Sequence, residues 1–307
     1  MEFSIVLGKV LMMLAFMAMG FTLVKTRTAT PEHGKTISSF LLYCVTPSML
    51  LSSFHEMDYT PETGLKLLYF FLFSLAVQLL MMGILWLILH KRLNEGKYRI
   101  LIIGAYMGNV GFFGQPIIHS LYPGNALASC YCMMFAISMN ILLFTIGEFM
   151  VSQDKRFISL KKTIVNPTIL TLFVVLPLYL LKIKLPTGVY TLVSTLRTMS
   201  GPLCMFVLGL RLATMSFKEI FAEPFAYLVS SLKLVAFPLL TYLVLLFIPG
   251  VDKTFKVTMV ILAGCPCASM IQAMAELHDC EQKHAAYTVL ISAMLCVFTL
   301  PLLTLLP

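Results

Sequence analysis

Two short stretches combine residues that interrupt a helix with residues that can hold an anion. They are Gly108-Asn-Val-Gly-Phe-Phe-Gly-Gln-Pro116 and Ala263-Gly-Cys-Pro-Cys-Ala-Ser269, each inside a long apolar run. Proline lacks an amide proton and clashes with the preceding turn, so Pro116 and Pro266 are each expected to end a helix. Glycines 108, 111, 114 and 264 let backbone segments approach closely. A helix that resumes after each break presents unpaired N–H groups and a positive dipole end, a natural seat for a carboxylate. Asn109, Gln115 and Ser269 add side-chain donors. The candidate binding set is therefore Asn109, Gly111, Gln115, Pro116, Gly264, Cys265, Pro266, Cys267 and Ser269.

The elements that must position these residues are membrane helices. Of the 307 residues, 59% are hydrophobic and 12% charged, with a mean hydropathy of +0.91, against roughly 25% charged in soluble proteins. Ten spans are expected, at 4–24, 36–54, 64–90, 100–121, 126–151, 167–183, 187–213, 224–249, 254–277 and 283–305, each long enough for a hydrocarbon core of ~30 Å. The first carries no small-x-small cleavage site and is expected to be retained. In such a chain the net charge of +8 reports orientation, and no nucleic-acid partner is expected. Fourteen of the 22 Lys/Arg fall in the connections after odd-numbered spans and four on the opposite side, which places both termini outside and the basic loops in the cytoplasm.

Irregular backbone at membrane depth survives only inside protein or beside a water-filled cavity. The two breaks carry prolines 150 residues apart, about half the chain. Thr46-Pro47 in span 2 is matched by Gly201-Pro202 in span 7. A basic connection at 152–166 separates residues 1–151 from 167–307, and five spans per half reverse the second half. The expected architecture is all-α and polytopic, a 5+5 inverted repeat with helices 4 and 9 broken and a binding site near the bilayer midplane.

Other polar residues within spans are expensive there and are candidates for function. Arg197, about ten residues into span 7, either faces an anion path or snorkels outward. Gln78, Asn140, Gln272 and Glu276 are candidates for ion coupling; Gln272 and Glu276, four apart, share a helix face, and Glu276 could instead reach the cytoplasmic interface. Lys233 and Glu148 read as snorkelling or packed. The loop His55-Glu56-Met57-Asp58 reads as a solvated connection. The eight cysteines read as reduced structural thiols.

The G-N-x-G-x-x-G-x-P break, Asn166-Pro167, Pro-Leu-x-x-Phe-x-Leu-Gly-x-x-Leu over 202–212, Pro266-x-Ala-Ser, Ala-x-Ala-Glu-Leu and Ala-Ala-Tyr-x-Val-Leu-x-Ser ending at Ser292 together resemble the auxin efflux carrier family. Lacking the long cytoplasmic loop of the plant carriers, the chain is similar to short bacterial members labelled malate permeases. The resemblance implies a fold like bile-acid sodium symporters and sodium/proton antiporters. Spans 1, 2, 6 and 7 would form a scaffold that often dimerises, and spans 3–5 and 8–10 a transport domain in which the broken helices 4 and 9 cross. It also implies carriage of a small organic anion across the cytoplasmic membrane of a bacterium by an elevator motion.

Coupling to protons or sodium is expected, with no cofactor and no enzymatic activity, since no G-x-x-x-x-G-K-[ST] nucleotide motif is present. The sequence departs from the family at the second proline, usually flanked by small residues and here by Cys265 and Cys267. Paired thiolates suit soft cations, so a cation carrier, by sodium/proton exchange or through Cys265-Pro266-Cys267, stands as the alternative.

Overall fold

The computed structural model describes residues 2–154 and 166–306, and every regular element among them is helical. Lys155, Arg156, Lys161 and Lys162 of the expected central connection lie outside the described residues. The helices are α1 (Glu2–Lys25), α2 (His33–His55), α3 (Pro61–Arg92), α4 (Gly96–Tyr106), α5 (Gln115–Leu121), α6 (Ala126–Ser152), α7 (Pro167–Leu180), α8 (Thr187–Leu212), α9 (Pro224–Leu246), α10 (Lys253–Ala263), α11 (Ser269–Leu277) and α12 (Gln282–Leu303), with a single turn at Phe217–Phe221 between α8 and α9. Seven of them, α1, α2, α3, α6, α8, α9 and α12, are long and apolar enough to cross a membrane. Spans 100–121 and 254–277 are interrupted, where breaks in helices 4 and 9 are expected, and α7 is shorter than the expected 167–183.

Local chemistry sets the helix starts. Pro61, Pro167 and Pro224 occupy first-turn positions, where a missing N–H costs nothing. Thr60 and Thr63 cap α3 reciprocally, Asn166 Oδ1 accepts from Thr168 N at 2.9 Å, and Asp252 Oδ1 accepts from Phe255 N at 2.8 Å.

Prolines within helices follow a different rule. Pro47, Pro116 and Pro238 each come two residues after a π-helical turn, at Leu41–Val45, Val110–Gly114 and Leu232–Ala236. In each turn the residue before the proline donates to a carbonyl five residues back: Thr46 to Leu41, Gln115 to Val110, Phe237 to Leu232. The widened turn makes room for the pyrrolidine ring, so the helix continues. The expectation that Pro116 ends a helix is thereby corrected: the chain breaks at Met107–Asn109, then runs helically from Val110 through Pro116 to Leu121.

Packing follows small residues and buried polar pairs. α1 lies along the second half of α8, where a Cβ on Gly20 or Gly209 would collide with the Phe206 or Met17 carbonyl. This is the close approach by which small residues join helices in lipid. α3 packs on α6 through the stacked rings of Phe70 and Tyr131, 4.2 Å apart, and through a buried Ser74–Ser138 hydrogen bond of 2.8 Å. α2 rests against α7 and α8; α9 packs on α10 and α12, and α11 on α12. Leu72, Leu87, Phe173, Leu243 and Phe298 face outward, the surface a lipid solvent requires.

The α1–α8 contact makes a direct prediction. Gly209→Val forces two backbones apart and should abolish the monodisperse detergent-solubilised species in size-exclusion chromatography. Gly83→Ala, where an added Cβ meets nothing within 4 Å, should leave the thermal midpoint within about 2 °C, as expected of a change that disturbs no packing.

Candidate functional site

The two breaks meet. Gly108 and Cys267 form an isolated antiparallel bridge, flanked by Asn109 N donating to Pro266 O at 2.7 Å and Ala268 N donating to Met107 O at 3.3 Å. Four helix ends therefore converge at one point: the C-termini of α4 and α10, the N-terminal turn beginning at Val110, and the N-terminus of α11. Extended backbone at Ala268 leads into α11 without a side-chain cap. The first-turn amides at Val110 and Gly111, and at Ser269 and Met270, point away from their own helices, as at any helix start.

These N-terminal turns border a cavity of about 260 Å³. Its floor is Met107, Gly108, Asn109, Val110, Gly111 and Phe112 with Ala268, Ser269, Met270 and Ala273. Its walls come from α2, α6, α7 and α8, including Thr46, Asn140, Asn166, Thr168, Cys204 and Arg211. Most of the lining is apolar: Leu41, Met49, Leu50, Met133, Met139, Val207 and Leu208. Few polar groups on an apolar surface is the ordinary make-up of a small-molecule site. Asn109 Nδ2 lies 3.4 Å from Cys204 Sγ, tying the floor to α8.

Arg211 is the one charged residue in that lining. Among the described residues, nothing hydrogen-bonds its buried Nη1. A guanidinium cannot shed its proton and offers donors matched to a carboxylate. With the two helix N-termini, Arg211 makes the cavity a place for an anion.

Of the expected binding residues, Asn109, Gly111 and Ser269 line the cavity, as does Asn140. The others hold the crossing together behind it. Gln115 Nε2 donates to Ser53 Oγ at 3.2 Å, joining the resumed helix to α2. Pro116 packs where a Cβ on Gly201 would touch its ring. Gly264 faces Leu300 and Leu303 of α12. Pro266 contributes its carbonyl to Asn109. Cys265 Sγ donates to Ile261 O and Cys267 Sγ to Gly104 O, both at 3.4 Å, so the two thiols turn to different helices.

Arg197, which could face an anion path or snorkel outward, stands outside the cavity lining. Its guanidinium grips Glu56 through both carboxylate oxygens, at 2.9 and 3.1 Å, and lies 3.4 Å from His119 Nε2. Tyr190 OH donates to Glu56 at 2.9 Å. Arg197 precedes Arg211 by 14 residues on α8, about 21 Å of helical rise. The loop holding Glu56 is consequently a structural seam rather than a solvated connection. Beside it, the Lys184 ammonium, 2.6 Å from Asp58, holds that carboxyl below the usual carboxylate range.

The coupling candidates separate similarly. Gln78 Nε2 donates to Ser74 O and Ser138 Oγ, at 2.9 and 2.8 Å, within the α3–α6 contact. Gln272 Nε2 donates to the exposed Glu276 at 2.8 Å. Neither pair borders the cavity.

One residue was misjudged from sequence and a second was placed only in outline. Arg211 reads as a loop cation because it ends a span, whereas it lines the cavity from the last turn of α8. Lys233, which reads as snorkelling or packed, is packed: it is fully buried in the π-helical turn of α9. Its Nζ donates to Ala263 O at 2.5 Å and sits 4.6 Å from the Phe237 ring centroid.

The backbone pairing at Cys267 has a measurable consequence. Its N–H donates to Ser292 Oγ at 3.0 Å. Ser292→Ala strands that buried donor, a loss of about 1–3 kcal/mol, and should lower the thermal midpoint in detergent. Cys267→Ser keeps the backbone bond and should lower it less. The reverse order would assign the stabilisation to the thiol.

Comparison with known proteins places the chain in a family. A family model described as "Membrane transport protein" matches residues 5–156 and 154–304. A protein of Rhizobium meliloti (strain 1021) described as "Putative malonate transporter" is 26% identical over 304 residues, spanning 95% of this chain and 92% of that protein. An "Uncharacterized transporter" of Methanothermobacter thermautotrophicus is 25% identical over 299 residues, 95% of each chain. Long apolar helices, two paired breaks and a family match over nearly the whole length lead to one conclusion: the chain is a multi-pass membrane protein belonging to the membrane transport protein family, that of the auxin efflux carriers.

Proposed function

We propose that the protein is a secondary active transporter of a small organic carboxylate, which binds in the cavity below the helix crossing. The observation that carries this reading is the cavity's polarity: two helix N-terminal turns on its floor and the buried Nη1 of Arg211 in its wall. The volume of about 260 Å³ suits a compact anion of a few carbons. One carboxylate would take the amides at Val110–Gly111 and Ser269–Met270 with Asn109, and a second would reach Arg211. The relative described as a malonate transporter makes malonate the first candidate.

Ten crossings of the bilayer account for the twelve helices, α4–α5 and α10–α11 each counting as one broken span. The halves then form a 5+5 inverted repeat. Packing supports a division in which α1, α2, α7 and α8 are a scaffold and the rest a transport unit. α1 pairs with α8 and α2 with α7 and α8, whereas α3 pairs with α6, α9 with α10 and α12, and α11 with α12. The cavity lies along the boundary between these groups, where sliding of the transport unit would carry the site across the membrane. With the basic connections cytoplasmic in a bacterial plasma membrane, the Arg211 end of the cavity opens inward, and the Arg197–Glu56–His119 seam closes the outer side.

Uptake of labelled malonate into proteoliposomes tests the reading. Wild-type protein should show saturable uptake. Asn109→Ala and Arg211→Gln should each reduce it about tenfold or more, the scale of a lost charge-assisted contact. Absence of malonate, malate and indole-acid uptake by folded wild-type protein would overturn it.

A further inference from the structure

Lys233 is a buried cation that the carboxylate site does not use. Its side chain is fully buried beside Cys265, since a Cβ on Gly108 would touch both its Nζ and the Cys265 Cβ. Among the described residues no carboxylate is set against it. An ammonium held this way must be compensated by backbone, and the carbonyl inventory at the end of α10 shows how.

Gly264 N serves Val260 O, Cys265 N serves Leu262 O, and Cys265 Sγ serves Ile261 O. Two residues that could have capped Ala263 O do not. Pro266 has no N–H, and Cys267 N is bound to Ser292. Lys233 Nζ takes the vacancy. A Cβ on Gly108 would lie 3.0 Å from the same Nζ, so the ammonium also sits against the C-terminal end of α4. Two helix C-termini, each carrying roughly half a negative charge, converge on it. In transporters with broken helices, such ends and their unwound carbonyls are where a transported cation is coordinated.

We propose that Lys233 is the resident cation of the crossing: its tethered ammonium fills the place a coupling sodium ion would take and makes carboxylate transport independent of sodium. The small residue at 108 follows from the same arrangement, since any side chain there would displace the Nζ. The charge travels with the site, and the anion in the adjoining cavity, whose floor includes Gly108, supplies a nearby negative charge.

The proposal rests on the carboxylate-transport reading, and the tests separate the two. First, malonate uptake by wild-type proteoliposomes is compared in sodium and in choline buffers of equal strength. Equal rates are expected; a drop of about tenfold in choline, the mark of a 1.4 kcal/mol coupling or more, would overturn the proposal while leaving the transport reading intact. Absence of uptake in both buffers overturns the transport reading instead.

Second, thermal midpoints are measured in detergent without substrate. Lys233→Ala opens the cation place, so sodium chloride should raise the midpoint of the variant by about 3 °C or more relative to choline chloride, as ligand linkage requires. Wild type should show no such difference. A folded variant indifferent to sodium would overturn the proposal. Should Lys233→Ala not fold, Lys233→Met keeps the apolar stem, vacates Ala263 O and removes the charge, and is read by the same two outcomes.

Discussion

Everything at the site depends on two backbone hydrogen bonds, Asn109 N to Pro266 O and Ala268 N to Met107 O. A helix interrupted in hydrocarbon exposes amides and carbonyls that lipid cannot satisfy, at several kcal/mol each. One break alone would be untenable at that depth. Two breaks laid across one another satisfy part of each other's deficit, and the bridge at Gly108 and Cys267 is the visible result. The groups left over are sorted by sign. The resumed helices begin on the floor of the cavity on one side, and the Ala263 carbonyl faces Lys233 on the other. The crossing is therefore polar in a fixed sense, with anion attraction on the cavity side and cation attraction behind.

Much of this was legible in the letters. Hydropathy located the apolar helices closely, with 126–151 expected against Ala126–Ser152 observed, because lipid solvation acts on composition alone. Gly and Pro clusters located both breaks, because glycines crowded beside a proline weaken the helix in an apolar run. Proline was misleading at one point. Pro116 reads as a stop, yet a π-helical turn absorbs it, and that accommodation depends on hydrogen-bond register that no residue type announces. The true break lies at Met107–Asn109, whose backbone is stabilised by pairing with Pro266–Ala268 in the other half of the chain.

Charged residues were the least legible. Arg197 and Arg211 lie on one helix and look alike in sequence. One is neutralised by Glu56 from a loop, and the other has a buried nitrogen at the cavity that nothing among the described residues hydrogen-bonds. Lys233 gives no sign in sequence that it faces inward, since its partner is a main-chain carbonyl. Long-range partners, rather than residue type, decide which intramembrane charge acts on a ligand and which only holds helices together.

The central claim, that an anion binds between the N-terminal turns beginning at Val110 and Ser269, is tested most directly by a structure of the protein in lipid nanodiscs with malonate. The account predicts density for the carboxylate within hydrogen-bond distance of Asn109 and the amides of those turns, with Arg211 reaching the other end. Bound malonate elsewhere, with the cavity below the crossing filled only by solvent, would contradict it.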